Sequence, residues 1–310
     1  MSGTAYIEQT AGKGAAKVAR NRGMRRIQTG RGSKAHGGGR PASWITYAVL
    51  LVIVAISAFP FYWSIVVGSW TNQVIYSSEI TLGLGPNIID SIQRVLTADI
   101  NFAAATLNSV IVAASTSIAV VFFSTLAGFA FSKFRFRGSG VLLIAVIATM
   151  AIPTQLGVVP LYLLMTQLDL QGNLLAVILP GLVTAFGVFW MTQYLREGLP
   201  DELIDAARVD GCSMLQTFWH VALPAARPAA AMLFLFTFVG SWTNFFWPYV
   251  ILDNRNGTLP VALQGLQSQY YTDYPLILTG ALLSTVPLLI LFIFAGRQLV
   301  SGIMAGAVKG

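Results

Sequence analysis

Six long stretches of this sequence contain no Asp, Glu, Lys or Arg, and this feature limits the possible folds more than any other. Each stretch exceeds the roughly 20 residues that an α-helix needs to cross a bilayer. None alternates between polar and apolar residues, as the strands of a transmembrane barrel do. The sequence therefore predicts an all-α membrane protein with six transmembrane helices, at about 44–68, 104–132, 140–165, 174–195, 228–252 and 274–296.

The composition supports this interpretation. Hydrophobic residues make up 55% of the chain and the mean hydropathy is +0.68, whereas an ordinary soluble domain is about 45–50% apolar. The first apolar stretch follows basic residues, as in a secretory signal peptide, but it is far longer than the roughly 7–15 apolar residues of such a peptide. We therefore expect residues 44–69 to remain in the protein as a helix.

The cations are distributed unevenly about the six spans. If the N-terminus is cytoplasmic, the cytoplasmic segments hold seventeen of the nineteen Lys and Arg residues, and the external segments hold only Arg94 and Arg255. Lys and Arg in short loops resist translocation across the membrane. The distribution therefore predicts that both termini are cytoplasmic.

Residues 1–43 form a basic, Gly-rich arm. Such an arm is compatible with binding to nucleic acid or anionic lipid, but its low apolar content favours a disordered segment that only fixes topology. We therefore divide the chain into a disordered cytoplasmic tail (1–43), a transmembrane domain (44–296) with a cytoplasmic loop (196–227), and a cytoplasmic C-terminal tail (297–310).

Little in the sequence indicates catalysis. The single cysteine, Cys212, rules out an internal disulfide, and the two histidines, His36 and His220, have no second metal ligand at a useful spacing. No nucleophile elbow and no Gly-rich phosphate loop precedes a helix. We therefore predict that this chain is not an enzyme and holds neither a metal nor a nucleotide cofactor.

Two predicted spans have distinctive compositions. The second is rich in Ala, Ser, Thr and Gly, which let helices approach closely in a membrane, so we expect it to be buried in a bundle. The third carries Pro153 and Pro160, and each is expected to kink the helix because proline removes a backbone donor. Gln155 lies between them, and either faces a polar pathway or bonds to a neighbouring helix.

Five acidic residues and three arginines interrupt the apolar pattern between the fourth and fifth spans. Pro200 suits a first helical turn, and the acidic residues after it lie near the positive end of a helix dipole. Gly211 supplies a left-handed residue that ends the helix. Leu203, Ala206 and Ala207 share one face at helical spacing. The segment therefore predicts a short amphipathic helix outside the bilayer.

A second short helix is predicted after this glycine. Ser213 is a suitable N-cap, and Pro224 and Pro228 are expected to break the helix before the fifth span. An apolar stripe at helical spacing is formed by Leu215, Phe218, Trp219 and Ala222. The two helices lie in the lipid interface, cap the protein's own bundle, or contact a partner. With three arginines and five acidic residues the segment has a net negative charge, which anionic lipid would repel. This favours a protein partner.

The stretch ELIDAARVDGCSMLQTFWHVALP resembles the EAA loop of binding-protein-dependent ABC importer permeases. That pattern is matched by Asp205, Ala206, Ala207, Gly211, Leu223 and Pro224, with Asp205 standing where the family has glutamate. The stretches TLNSVIVAASTSIAVVFFSTLAGFAFSKFRFRG, IPTQLGVVPLYLL, WTNFFWPYVIL and GIMAGAVKG extend the resemblance over about 44–310. Together they resemble the carbohydrate branch of the family, and within it the second permease subunit of maltose-type systems.

The resemblance implies a type I ABC importer permease fold and a location in the cell membrane of a prokaryote. It also implies that this chain forms half of a translocation pathway for sugars, including oligosaccharides. The implied partners are a second related permease, an extracellular sugar-binding protein and a cytoplasmic ABC ATPase dimer, which holds the ATP and Mg. The first short helix would dock in a cleft of the ATPase. The residues implied in this coupling are Asp205, Ala206, Ala207, Asp210, Gly211, Leu223 and Pro224.

A sugar is neutral and rich in hydroxyl groups, so its path needs polar and aromatic side chains rather than charges. The candidates are Gln155, Trp242, Asn244 and Trp247, although anchoring at the membrane interface explains the tryptophans almost as well. The external loop 253–274 resembles the family loop that reaches the binding protein. Its candidate contacts, which an ordinary wet surface explains equally well, are Gln264, Gln267, Gln269, Tyr270 and Tyr271.

Two other classes of protein fit the predicted spans. A secondary transporter driven by an ion gradient is the main alternative, but the spans lack the intramembrane charged residues that favour a proton relay. A structural membrane scaffold would leave the two-helix cytoplasmic loop unexplained.

Overall fold

The computed structural model describes residues 43–77, 82–253, 256–267 and 272–307, with side chains up to residue 294. The predicted N-terminal tail, apart from Ser43, lies outside the described residues. The chain divides into two compact units, Met1–Ala55 and Ile56–Gly310. In the first unit the described residues form the exposed beginning of helix α1. All packing described below lies within the second unit.

All regular secondary structure among the described residues is helical, and none of it is β-strand. The helices are α1 (Trp44–Gly68), α2 (Asn72–Tyr76), α3 (Ile88–Thr97), α4 (Phe102–Lys133), α5 (Ser139–Thr149), α6 (Val158–Gln167), α7 (Leu175–Ile178), α8 (Ala185–Gly198), α9 (Asp201–Val209), α10 (Met214–Thr217), α11 (Leu223–Ala225), α12 (Arg227–Trp242), α13 (Phe246–Ile251), α14 (Leu259–Gln264) and α15 (Tyr274–Ala307). Short 3₁₀ turns occupy Thr154–Gly157 and Leu179–Gly181, and a π-helical turn occupies Phe218–Ala222.

Three described helices are long and apolar enough to cross a membrane by themselves: α1, α4 and the Tyr274–Phe294 part of α15. Three bent helix pairs also qualify by composition, which allows up to six spans. The kink predicted at Pro153 in the third span is confirmed, whereas the prediction of one helix for the fourth span is wrong. The two halves of the third meet at 90°, and those of the fourth at 41°.

Prolines and caps explain these breaks. Pro153 separates α5 from the 3₁₀ turn before α6, because a proline lacks the backbone donor and disfavours the helical conformation of the residue before it. Pro180 lies in the 3₁₀ turn after α7, and Thr184 caps α8 by accepting a hydrogen bond from the Gly187 amide at 3.0 Å. The prediction of one helix over 228–252 is also wrong, since α12 ends at Trp242 and α13 begins at Phe246.

Helix α4 forms the centre of the bundle and packs most extensively against α8 and α12. Its buried residues are mostly small, among them Ser109, Ala113, Ser117 and Ser124. At Gly128 an added Cβ would lie 2.8 Å from the main-chain carbonyl carbon of Met191, so the two helices cross almost backbone to backbone. The prediction that this span is buried is therefore confirmed.

The predicted external segment 69–103 is not only loop, since it contains α2 and α3. Val95 of α3 is fully buried, and Arg94 makes an ion pair with Asp273, just before α15. The Tyr76 hydroxyl donates to the carbonyl of Thr272 at 2.8 Å. These contacts attach the two short helices to the start of the last long helix, which runs past its predicted end at 296 to Ala307.

Candidate functional site

The loop between the fourth and fifth predicted spans contains the predicted glycine-terminated helix. Pro200 is its N-cap residue and Asp201–Val209 is α9. Gly211 has φ of +81°, its amide donates to the carbonyl of Arg208 at 3.0 Å, and the Cys212 amide donates to the carbonyl of Ala207 at 2.9 Å. This pair of bonds is the Schellman pattern of helix ends. The prediction of a helix ended by a left-handed glycine is confirmed.

The second helix begins as predicted, with Ser213 as N-cap. Its hydroxyl accepts from the Gln216 amide at 3.3 Å, and the Gln216 side chain accepts from the Ser213 amide at 2.7 Å, which together form a capping box. The helix does not stop at Pro224, since the π-helical turn leads directly into α11. The chain instead bends by 76° at Ala226, before Pro228 in the first turn of α12.

The loop is packed into the core of the bundle. Ile204 of α9 and Phe218 of the π-helical turn belong to the same buried cluster as Phe129 of α4 and Leu195 of α8. The Phe218 ring lies 5.9 Å from that of Phe129, centroid to centroid. Leu223 is half-buried against the same cluster. A movement of α9 therefore displaces side chains that contact the membrane helices.

The buried faces differ from the predicted stripes. On α9 the buried residues are Ile204 and Ala207, whereas Leu203 is 49% exposed and Ala206 is exposed. On the second helix Phe218 and Ala222 are buried in this chain, whereas Leu215 and Trp219 are exposed. Sequence periodicity placed apolar residues on a common face without showing which of them the chain itself covers.

An ion pair holds the beginning of α9 to the end of α4. Lys133, with a side chain only 5% exposed, donates to the Asp201 carboxylate at 2.7 Å. This hydrogen bond and the ammonium charge lower the pKa of Asp201 from its ordinary value. Because the folded-state pKa is lowered, the contribution of the pair to stability is present at neutral pH and is lost as the pH falls through that lowered pKa.

The outer side of α9 is open. Leu203, Ala206 and Val209 are exposed, Val209 by 87%. Asp205 is also exposed, and its carboxylate oxygen lies 3.7 Å from a guanidinium nitrogen of Arg208, three residues further along α9. Asp210 is the exposed C-cap residue, and Pro224 is half-buried near the bend. A groove of about 550 Å³ borders this helix and is lined by Lys133, Phe134, Arg135, Asp201, Ile204, Asp205, Arg208 and Met214.

Three of the four predicted pathway residues line one open pocket of the bundle. Gln155, Asn244 and Trp247 line a space of about 420 Å³, and the Trp247 indole donates to the carbonyl of Ala176 at 3.0 Å. Trp242 is not among them. It is 3% exposed, stacks on Phe238, and donates to the carbonyl of Ser284 at 3.2 Å.

An adjoining open pocket of about 320 Å³ shares Val177, Gly181 and Asn244 with the first. Its other lining residues, which the sequence analysis did not select, are Thr116, Thr184, Phe186, Phe236, Thr237, Gly240 and Ser241. The sequence signal for those on α12 was their helical spacing, since Thr237, Gly240 and Ser241 lie three or four residues apart or adjacent, and Asn244 continues the spacing just beyond the helix.

The predicted binding-protein contacts are only partly within the described residues. Gln264, at the end of α14, and Gln267 are exposed. Gln269, Tyr270 and Tyr271 lie outside the described residues. Helix α14 itself is anchored, because Leu259 is fully buried and its amide donates to the Ser109 hydroxyl at 2.7 Å.

Comparisons with known proteins identify the family. The family described as "Binding-protein-dependent transport system inner membrane component" matches residues 120–301. The arabinooligosaccharides transport system permease protein AraQ of Halalkalibacterium halodurans is 33% identical over 271 residues, covering 86% of this chain and 97% of the relative. The lactose transport system permease protein LacG of Rhizobium radiobacter is 31% identical over 266 residues, covering 86% and 96%.

A solved structure shares the fold. A chain in the crystal structure of a bacterial ABC transporter involved in the import of the acidic polysaccharide alginate matches with a TM-score of 0.71 at 22% identity. The match covers 82% of this chain and 95% of that chain. With its helical bundle, its two-helix loop between the fourth and fifth predicted spans and these relatives, the chain belongs to the inner membrane permeases of binding-protein-dependent ABC transport systems and has the type I importer permease fold.

Proposed function

We propose that this permease carries sugars, including oligosaccharides, into the cell as one half of a pathway completed by a second related permease. The relatives named above transport arabinooligosaccharides and lactose. The two open pockets described above have no Asp, Glu, Lys, Arg or His among their lining residues. A lining of amide, hydroxyl and aromatic groups suits a neutral polyol better than an ion.

The observation that carries the proposal is the connection between the exposed helix α9 and the membrane helices. Its outer face (Leu203, Ala206 and Val209) is open to a partner, while Ile204 on its inner side packs in the cluster that contains Phe129 and Leu195. A partner that grips the outer face and moves would pull directly on α4 and α8. This is the mechanical property that a coupling helix needs.

The partner that grips α9 is an ABC ATPase dimer, and the ATP and Mg are bound there rather than by this chain. An external sugar-binding protein delivers the sugar. The exposed side chains of Gln264 and Gln267 lie in the external loop that contacts this protein. Both termini are cytoplasmic, as the distribution of Lys and Arg favours. A carrier driven by an ion gradient, the alternative left by the sequence, is not favoured by the family to which the chain belongs.

The test reconstitutes this chain in liposomes with the second permease, the ATPase and the binding protein. Labelled lactose and arabinotriose are supplied outside, with ATP inside. We expect ATP-dependent uptake by the complete complex and none by this chain alone. Uptake by this chain alone, or uptake driven by an ion gradient without ATP, would contradict the proposal.

One variant separates docking from folding. Ala206→Trp places a large side chain on the outer face of α9, where the chain's own packing does not reach, so we expect the ATPase to be lost from the purified permease. Ala206→Ser keeps a small side chain and should retain the ATPase. Equal recovery of the ATPase with the two variants would show that α9 is not the docking helix.

A further inference from the structure

The charged residues of the loop between the fourth and fifth predicted spans are confined to part of it. Every Asp, Glu, Lys and Arg in residues 196–227 lies either at or before Asp210, or at Arg227. The second helix of the loop, Met214–Ala225, therefore carries none of them. The net negative charge that anionic lipid would repel belongs to α9 and the residues beside it, and not to this second helix.

The second helix packs beside a membrane span and not beyond the end of that span. The Phe218 ring lies between two rings of α4, 6.2 Å from Phe122 and 5.9 Å from Phe129, centroid to centroid. The Trp219 ring lies 5.8 Å from Phe122. Phe122 precedes Lys133, at the end of α4, by eleven residues, or about 16 Å of helix. A span needs only about 20 residues, and 20 residues centred on α4 include Phe122. The contact therefore places Trp219 beside the part of α4 that crosses the bilayer.

The direction of the second helix fits this position. Met214–Ala225 makes an angle of 76° with α12, and α12 packs along α4 in the bundle. A helix that is nearly perpendicular to the spans runs close to the plane of the membrane. This is the orientation of a helix that lies in the membrane interface.

The exposed face of the second helix has an apolar edge and a polar edge. Leu215 and Trp219, four residues apart, are 63% and 48% exposed. The residue after each of them, Gln216 and His220, is also exposed, and the His220 Nδ1 atom lies 2.9 Å from the carbonyl oxygen of Gln216. Interfacial helices have this two-sided character, and tryptophan is enriched where a membrane meets water.

The apolar edge continues the exposed surface of α4. Phe122 contacts Trp219 on the second helix and also Phe123, whose ring lies 5.3 Å away. Phe123 is 40% exposed, and Leu126, three residues further along, is 38% exposed. The apolar surface of a span therefore extends onto the loop through side chains that are in contact.

We propose that the second helix lies in the membrane leaflet on the loop's side, with Leu215 and Trp219 among the lipid acyl chains. Lipid then covers this half of the loop, and a protein partner covers only α9. The Gly211 turn is the joint between a helix held by protein and a helix held by the membrane. Gln216 and His220 lie along the boundary with the lipid headgroups.

The surroundings of residue 215 can be measured directly. In a Cys212→Ser background, Leu215→Cys is labelled with a nitroxide, and the complete complex is placed in lipid nanodiscs. Power saturation then compares collisions of the label with oxygen, which concentrates in lipid, and with the nickel chelate NiEDDA, which stays in water. We expect collisions with oxygen to exceed those with NiEDDA.

Val209→Cys on α9 is the matched control. Val209 is also apolar and is even more exposed, at 87%, but it lies on the other side of the Gly211 turn. In the permease without the ATPase, a label on Val209→Cys should collide more often with NiEDDA than with oxygen, whereas the label on Leu215→Cys should keep its preference for oxygen.

Equal charges placed on the two edges test the position of the helix. Trp219→Glu, added to the labelled Leu215→Cys protein, should reverse the preference from oxygen to NiEDDA, because a carboxylate among acyl chains is costly. Gln216→Glu puts the same charge on the polar edge, and glutamate can still complete the capping box with Ser213. This variant should leave the preference for oxygen unchanged.

Two results at Leu215→Cys would overturn the proposal. A label that collides mainly with NiEDDA would show a wet surface, and a label shielded from both reagents in the complete complex would show a protein partner. Equal effects of Trp219→Glu and Gln216→Glu would also overturn it. If Trp219→Glu fails to assemble, the label on Leu215→Cys decides the question by itself.

Discussion

Gly211 is required for its backbone conformation and not for space. Its φ is +81°, and an added Cβ would meet no atom within 4 Å. A β-branched residue is strained at this φ, at a cost of about 1–3 kcal/mol. This is enough to misplace a short helix without unfolding the bundle.

We therefore expect Gly211→Val to lower sugar uptake and sugar-stimulated ATP hydrolysis by the reconstituted complex while the permease stays in the membrane. Gly211→Asn is the matched control, because asparagine tolerates the left-handed conformation, and it should retain most of the activity. Full transport by Gly211→Val would refute a role of this turn in coupling. Loss of the permease from the membrane would show that the loop mainly stabilises the fold.

The two alanines of the loop, adjacent in sequence, have different surroundings. The resemblance assigned both Ala206 and Ala207 to the coupling with the ATPase. Ala207 is only 7% exposed and is already packed against this chain, whereas Ala206 is exposed. A large residue at Ala207 would therefore push α9 off the bundle, and only a large residue at Ala206 tests docking.

At the scale of helices, the crossing of α4 and α8 depends on Gly128. Any side chain there meets the backbone of Met191, which cannot move aside as a flexible side chain would. We expect Gly128→Leu to cost about 1–3 kcal/mol or more through overpacking, and to lower the midpoint of thermal unfolding in detergent. Gly140→Leu on α5 is the control, because an added Cβ there would meet nothing within 4 Å. Equal unfolding midpoints for the two variants would exclude this close crossing.

The bends between helices were the least predictable elements. Pro153 and Pro160 are both visible in the sequence, but only Pro153 lies at the 90° bend, and Pro160 lies in the first turn of α6. A proline can start a helix or interrupt one, and the same local preference allows both. Which occurs depends on whether neighbouring helices leave room for the chain to turn.

At the scale of the whole molecule, the distribution of cations predicts the orientation in the membrane. In a Cys212→Ser background, we expect Ser33→Cys in the basic tail to react with an impermeant maleimide only after the cells are permeabilised. Leu84→Cys, in the predicted external segment and exposed, should react in intact cells. Labelling of Ser33→Cys from outside would contradict cytoplasmic termini.

The sequence by itself determined the membrane class, the helical fold and the two-helix loop with its glycine turn. These features follow from local rules: a backbone in lipid must satisfy its own hydrogen bonds, and a left-handed residue at a helix end favours glycine. Only the tertiary structure decided that Ile204 and Ala207 are covered while Leu203 and Ala206 are open. It alone brought Thr116, Thr237 and Ser241 to the lining of one pocket, because burial and the convergence of side chains depend on helices that are distant in sequence and adjacent in space.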